Sequence, residues 1–190
     1  MLKFRARTSD ERPKKRLRTE RSHGDPTWGS QLLRVVSGPE VEAGVVYSPV
    51  LGRLDIDPGR VVQFIEPIAG FPTCFRYTLL PYMQANGRED AAMRWLQAMD
   101  PPFHTFIVAD PWSVAPDYSP EIADADAEQL DALSFPQATL YGIMTVSQQL
   151  RELSINLRAP LVVNQQMRLA KQVVLLNGEY TTNHRVCELP

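Results

Sequence analysis

Cysteine and histidine are scarce in this chain of 190 residues, and their spacing predicts no metal site. The cysteines are Cys74 and Cys187, and the histidines are His23, His104 and His184. Zinc ligands usually come in pairs about two to five positions apart, and only His184 and Cys187 lie that close, with no second pair to complete a site. Two distant cysteines behind an N-terminus without an apolar signal segment indicate free thiols in a reducing compartment.

The sequence also lacks the local motifs of several enzyme classes. It has no Gly-x-Ser-x-Gly nucleophile elbow and no Gly-Lys-Ser/Thr phosphate loop. The residues leave open a nucleophilic pair of Cys74 with His104 or His184, although no signature of an activated thiol accompanies either cysteine. A cysteine hydrolase is therefore kept as the third functional hypothesis, while no catalytic residue and no cofactor are predicted.

Long hydrophobic runs are missing as well. None approaches the roughly 18 residues that cross a bilayer, and the N-terminus is charged from Lys3 onward. The hydrophobic fraction of 44 % is nevertheless ordinary for a globular chain that buries one core. We expect a cytoplasmic protein with no membrane partner.

What the chain does contain is a strongly uneven distribution of charge. Residues 1–21 hold nine basic and three acidic residues, whereas the rest of the chain holds 11 basic and 19 acidic residues. A basic arm thus precedes an acidic body, and each has to be interpreted separately. Because residues 1–44 combine high charge with few aliphatic side chains, they are predicted to be a disordered basic extension, followed by one domain at 45–190.

Short β-like runs separated by turn signals fill the second part of the chain. They indicate an all-β fold, namely a small antiparallel β-barrel-like domain with one short helix. The helix is predicted at 124–133, where acidic residues near its start favour the helix dipole. The predicted strands are residues 45–47, 52–56, 61–65, 75–80, 93–99, 103–109, 138–146, 154–157, 161–163, 171–176 and 179–186.

The segment from Ser154 to Asn164 is the most distinctive of these. Ile155 and Leu157 alternate with polar residues, which is typical of a half-buried strand. Pro160 cannot donate to a β-ladder, so the chain has to bend there or lie on an edge, and a second, more buried strand follows. This segment contains no nucleophile and no acid pair, so it is built for shape and contact.

Several short pieces of sequence occur in a fixed order over about residues 45–185. The pieces are Leu54-Asp-Ile-Asp-Pro58, Val62-Gln-Phe64, Ala69-Gly70-Phe71-Pro72, Tyr77-Thr-Leu-Leu-Pro81, Trp95-Leu-Gln97, Phe106-Ile-Val-Ala-Asp110-Pro111, Asp117-Tyr118, Ser154-Ile-Asn156-Leu157-Arg-Ala159-Pro160 and Val163-Asn164. The most specific part is the run of Asn156-Leu157, Ala159-Pro160 and Asn164 after Asp110-Pro111 and Asp117-Tyr118. Together these pieces resemble the family of the flagellar assembly factor FliW.

The resemblance implies a non-enzymatic, monomeric, β-barrel-like chaperone and regulator. Members of this family bind flagellin in the cytoplasm and also bind CsrA, the dimeric RNA-binding repressor of flagellin translation. The two partners exchange, and the contact on CsrA lies away from its RNA-binding surface, so the antagonism is allosteric. Flagellin translation is thereby coupled to flagellin export.

Two partners on one small domain require exposed, partly apolar patches, and an acidic body can steer a basic or RNA-binding partner. The acidic cluster near the predicted helix is more simply a solvated helix face, and the loop around Trp112 can equally be a rim that caps the barrel. The candidate partner-binding residues are Phe71, Trp112, Asp117, Tyr118, Glu121, Asp124 and Asp126.

The runner-up hypothesis is a nucleic-acid-binding β-barrel that is anchored by residues 1–21. Such binding falls steeply with salt and vanishes when the arm is deleted. The arm has no interleaved aromatic side chains for stacking on bases, so the first hypothesis is favoured and no direct nucleic-acid partner is expected. The favoured interpretation of the arm is a solvated tail, or the product of a wrongly chosen upstream start codon.

Overall fold

The fold is known from a computed structural model, which describes residues 2–3, 44–130, 138–147 and 152–188. Within these ranges there is one α-helix, α1 (Asp124–Gln129), and short 3-10 turns lie at Pro58–Arg60 and Pro111–Ser113. The strands are β1 (Leu2–Lys3), β2 (Val45–Ser48), β3 (Gly52–Asp55), β4 (Val61–Phe64), β5 (Arg76–Met83), β6 (Glu89–Ala98), β7 (Thr105–Ala109), β8 (Glu121–Ile122), β9 (Ala138–Ser147), β10 (Glu152–Ile155), β11 (Leu161–Asn164), β12 (Leu169–Gln172) and β13 (His184–Glu188).

Seven strands close into a barrel in the order β11-β12-β4-β5-β6-β7-β9, and β9 pairs back onto β11. Every neighbouring pair is antiparallel except β12 and β4, which run parallel with Leu169 opposite Gln63. An odd number of strands cannot alternate in direction all the way round a closed ring, so one parallel pair is required. The all-β, barrel-like fold with one short helix is thus confirmed.

The strand–proline–strand prediction is confirmed as well, and β9 explains its shape. The first half of β9 pairs with β11 and the second half pairs with β10. The chain has to turn between the two partners, and it does so at residues 156–160, where Asn156 Oδ1 accepts a hydrogen bond from the Ala159 amide at 2.9 Å. Such a side-chain-capped turn fits the fixed φ of Pro160, which follows it.

The apolar side chains form two clusters on opposite faces of the β9–β11 wall. One cluster takes residues from all seven barrel strands, among them Phe64, Tyr77 and Leu96, and therefore fills the barrel interior. The other lies on the outer face of the wall, beneath β10 and the loops that follow β7 and β12. All four residues of β11 are buried, because alternate side chains enter each cluster.

Several predicted strand ends were wrong. Strand β5 does not stop at Pro81 but continues to Met83, with a register shift after Pro81. A proline is tolerated in a strand at such an irregularity because no ladder donor is needed there. Strand β7 begins at Thr105 rather than at residue 103, since Phe103 has a left-handed φ of 57°.

Other boundaries moved because hydrogen bonding, not hydrophobicity, defines a strand. Strand β12 ends at Gln172, although Val173 and Leu175 beyond it are buried. Part of the predicted polar loop at 82–92 belongs to β6, which starts at Glu89 after a turn. The helix ends at Gln129, and the remaining residues of its predicted range after Leu130 lie outside the described part of the chain.

Of the basic extension, the structure describes only Leu2–Lys3 and Gly44. Leu2–Lys3 forms β1, which pairs antiparallel with β8 in a separate two-stranded sheet. The prediction of disorder for the other residues of the extension falls outside the described residues. In the described part of the chain, no helix has both the length and the apolar character that crossing a membrane would require.

Candidate functional site

Three aromatic rings stack beside β8 and hold the loop that follows β7. The Trp112 and Tyr118 rings lie 5.7 Å apart, and the Tyr118 and Tyr180 rings lie 4.6 Å apart, both edge to face. The Tyr118 hydroxyl donates a 2.8 Å hydrogen bond to the Leu157 carbonyl, and Trp112 Nε1 donates to the Tyr118 carbonyl. Burial, followed by the charge of Tyr180, raises the pKa of Tyr118. Because Tyr118 is buried, any part it has in partner binding is through the position of its neighbours.

Acidic residues flank this stack in the sequence and are joined to it through Asn177. Asp117 and Asp124 are exposed and Glu121 is half-buried. Glu179, which sequence reasoning did not single out, is brought beside them by Asn177. The Asn177 side chain accepts from the Glu121 amide, donates to the Ser119 carbonyl and contacts Glu179 at 3.2 Å. We call Asp117, Glu121, Asp124 and Glu179 the acidic surface.

Two of these carboxylates, those of Glu121 and Glu179, lie close enough to the Tyr180 hydroxyl to affect its pKa. This hydroxyl accepts a 2.7 Å hydrogen bond from the Ser119 amide. Burial raises the Tyr180 pKa, and the nearby charges of Glu179 and Glu121 raise it further, whereas the Ser119 hydrogen bond lowers it. Two carboxylates that act on one hydroxyl from distant parts of the sequence make a concentrated negative field at the edge of the barrel.

Asp126 has different surroundings from the other predicted acids. Its Oδ1 accepts a 2.8 Å hydrogen bond from Lys171 Nζ, which also contacts Gln129 Oε1 and Glu66 Oε1. Lys171 lies on β12 and is nearly buried. This group of contacts, the Lys171 latch, fastens α1 to the barrel, so Asp126 has a structural contact that the sequence did not predict.

Phe71 is far in sequence from the Trp112–Tyr118 loop and lies in the loop between β4 and β5. It is half-buried, and its ring packs 4.2 Å from His104 and 4.8 Å from Phe106. Gly70 before it has a φ of 90°, a conformation that side chains disfavour. The Ala69-Gly70-Phe71-Pro72 piece is therefore a turn that sets the Phe71 ring against the barrel.

An open cleft of about 440 Å³ lies next to Phe71. It forms because β7 pairs with β9 only at Val108 and Ala109, so the start of β7 and the end of β9 diverge. Aliphatic and aromatic side chains make up most of its wall. The residues that line the cleft are Ile68, Ala69, Phe71, Phe106, Ile143, Met144, Thr145, Val146, Asn156, Gln172 and Thr182.

The other family-motif residues have local structural contacts. Asp110 Oδ1 accepts from the Trp112 amide at the start of the 3-10 turn, whose first residue, Pro111, is buried. Asn164 is fully buried, and its side chain donates to the Leu130 carbonyl and accepts from the Met167 amide. Pro72 is exposed, and Leu157 and Pro160 are buried.

The structure does bring Cys74 and His104 together. Cys74 Sγ lies 3.6 Å from His104 Nδ1, and His104 Nε2 lies 2.9 Å from the Tyr77 hydroxyl. Cys74 has no exposed surface, however, because it belongs to the cluster that fills the barrel. Burial also lowers the pKa of His104. A thiol enclosed in this way has no route to a substrate in this conformation.

We therefore expect Cys74 to react slowly with iodoacetamide at neutral pH in the native protein. Its rate should be at least about tenfold below that of the same thiol in denaturant, since a buried thiol is shielded from the reagent. Peptide mass spectrometry distinguishes Cys74 from Cys187. The exposed neighbour, tested as Thr73→Cys in a Cys74→Ala background, should react quickly. Native Cys74 that reacts faster than a free thiol would revive the hydrolase hypothesis.

No cluster of three or more potential metal ligands occurs among the residues that the structure describes. The arrangement found instead is an acidic surface next to the half-buried rings of Trp112 and Tyr180, with a separate cleft of mixed polarity, and it suits contacts with other macromolecules.

The sequence model of the FliW protein family matches residues 46–186. The chain belongs to the FliW family. The flagellar assembly factor FliW of Geobacillus sp. (strain WCH70) is 36 % identical over 135 residues, which is 71 % of this chain and 90 % of the relative. The FliW of Ruminiclostridium cellulolyticum is 33 % identical over 137 residues, covering 72 % of this chain and 90 % of the relative.

A crystal structure of the flagellar assembly factor FliW has the same fold. It superposes with a TM-score of 0.66 at 33 % identity and covers 76 % of this chain and 97 % of the solved chain. The resemblance found in the sequence is thereby confirmed, and the FliW region is the barrel with its outer layer. Residues 1–45 lie outside the matched FliW region.

Proposed function

We propose that this chain binds flagellin as a cytoplasmic chaperone and binds CsrA, which it antagonises allosterically, so that flagellin translation follows flagellin export. The observation that carries the proposal is membership of the FliW family over residues 46–186. A flagellar assembly factor acts through protein partners of the flagellar system. We infer that it does so without catalysing a reaction.

Two different surfaces support a protein with two partners. The acidic surface offers negative charge beside aromatic edges, and such a field accelerates encounters with a partner of positive or mixed charge. The cleft beside Phe71 combines apolar side chains with the polar residues Thr145, Asn156, Gln172 and Thr182, which suits a segment that carries both apolar and polar side chains. We propose the acidic surface for CsrA and the cleft for flagellin.

The test of the CsrA surface is the double variant Asp117→Lys, Asp124→Lys. Both side chains are exposed, and the Lys171 latch uses Asp126, Gln129 and Glu66 instead. We expect CsrA from the same organism to bind at least about tenfold more weakly in calorimetry at low salt, and the difference to shrink at high salt because ions screen exposed charges. Flagellin affinity should not change, since the cleft is untouched.

The matched control reverses two exposed acids elsewhere, Asp55→Lys on β3 and Glu89→Lys on β6, whose side chains are 70 % and 52 % exposed. It carries the same change in net charge and should leave CsrA affinity within about twofold. Equal losses in both double variants would mean that net charge alone matters, and no loss in either would remove the acidic surface from the proposal.

A further inference from the structure

The short strand β8 lies between two other segments of the chain. On one side, the Glu121 carbonyl accepts a 2.8 Å hydrogen bond from the Leu176 amide. On the other side, β8 pairs with β1, with Leu2 opposite Ile122 and Lys3 opposite Glu121. The backbone edge of β8 is thus occupied by the first residues of the chain itself.

Charge favours the same arrangement. The strand β1 begins the basic arm, residues 1–21, which carries nine basic and three acidic residues. Strand β8 contains Glu121, and the acidic surface continues from it to Asp117, Asp124 and Glu179. The β1–β8 pairing anchors this cationic segment at Glu121, and a tether at that point raises its local concentration near the acidic surface.

The extension is also the part of the chain that lies outside the matched FliW region, which begins at residue 46. The family fold therefore does not require β1. A segment that adds a strand to an exposed edge uses backbone hydrogen bonds for affinity and its side chains for specificity, which is a common mode of peptide recognition. Here the peptide and its receptor belong to one chain.

We propose that the basic arm, anchored in cis by the β1–β8 pairing, acts as a built-in competitor for the acidic surface. A partner protein that uses the acidic surface has to displace the arm first, so its apparent affinity falls by the fraction of molecules in which the arm is docked. The inference rests on the proposed function only in naming CsrA as the partner that has to displace the arm.

The experiment compares hydrogen exchange in the full chain, in a variant without residues 2–21, and in a variant with the nine basic arm residues changed to Gln. We expect the peptide over 117–124 to exchange at least about fivefold faster in both variants than in the full chain. At high salt, the exchange rate of this peptide in the full chain should rise toward the rates in the variants. A peptide over 138–147, which covers β9, serves as the control for an intact barrel and should not change.

A second measurement links docking to binding. CsrA should bind the two arm variants at least about fivefold more tightly than the full chain, because no docked arm has to be displaced. If CsrA binds none of the proteins, the proposed function fails while the exchange result still decides whether the arm docks. Identical exchange at 117–124 with and without the arm overturns the inference, and arm-dependent binding of poly(U) RNA in that case would assign the arm to nucleic acid.

Discussion

Replacing Gly142 by alanine is expected to destabilise the protein by about 3 kcal/mol, because Ile155 of β10 packs so closely on the outer face of β9 that one more methyl group has no room there. Gly142 lies in the middle of β9, where the strand changes partner from β11 to β10. A Cβ at this position would lie 2.6 Å from Ile155 Cδ1 and 3.1 Å from the Asn156 carbonyl oxygen. Ile155 is fully buried and cannot swing into solvent. Urea denaturation of Gly142→Ala measures the loss.

The control for this substitution is Gly178→Ala, since a Cβ at Gly178 meets no atom within 4 Å. It should change the free energy of unfolding by less than about 0.5 kcal/mol. The double variant Gly142→Ala, Ile155→Ala lacks the clash. Its loss of unfolding free energy should therefore be clearly smaller than the sum of the losses in the two single variants. Strictly additive losses would show that the close approach of β9 and β10 is not what makes glycine necessary.

Replacing Lys171 by methionine is expected to cost about 2 kcal/mol, since it removes the cation of the Lys171 latch and leaves the partly buried Asp126 without that partner. Burial alone would lower the pKa of Lys171, but the hydrogen bonds and charges of Asp126 and Glu66 outweigh it, and the pKa is raised. A raised lysine pKa stabilises the fold at pH values below the unfolded pKa of about 10.4, and this contribution is lost as the pH rises through the folded value.

The stability difference between the natural chain and Lys171→Met should therefore stay constant between about pH 7 and 9 and shrink above about pH 10.5. Thermal denaturation across this range measures it. Arg53→Met is the matched control, because the Arg53–Asp55 pair is exposed, with side-chain exposures of 55 % and 70 %, and exposed pairs contribute little. A difference that persists undiminished at alkaline pH would mean that Lys171 acts through its aliphatic packing and not through its charge.

The fold was predictable from the sequence wherever local chemistry and tertiary contacts agree. Alternating apolar residues around Ile155, the proline at 160 and the run of β11 marked two strands and the bend between them. Prediction failed where distant hydrogen bonds decide the outcome. Nothing near Pro81 in sequence reveals the irregular pairing with β6 that lets β5 continue. The apolar residues Val173 and Leu175 suggested a longer strand, but the hydrogen bonds of β12 end at Gln172.

The residues of the candidate site were likewise predictable from the sequence only in part. Acidic and aromatic residues between Trp112 and Asp124 could be identified as a group because they are close in sequence. The involvement of Asn177, Glu179 and Tyr180 could not, because a chain segment more than fifty residues away supplies them, and an Asn-Gly pair signals only a turn. Likewise, a lysine in a strand gives no sign that it fastens a helix.

The sequence by itself determined the family, the class of fold and the separation of a basic arm from an acidic body, because motif order, period-two hydrophobicity and net charge are properties that can be counted along the chain. Only the tertiary structure decided which carboxylates share a surface, which one is committed to Lys171, and that Cys74 and His104 meet in the interior. Those outcomes depend on closing a seven-strand ring, and ring closure is set by pairings between residues that are far apart along the chain.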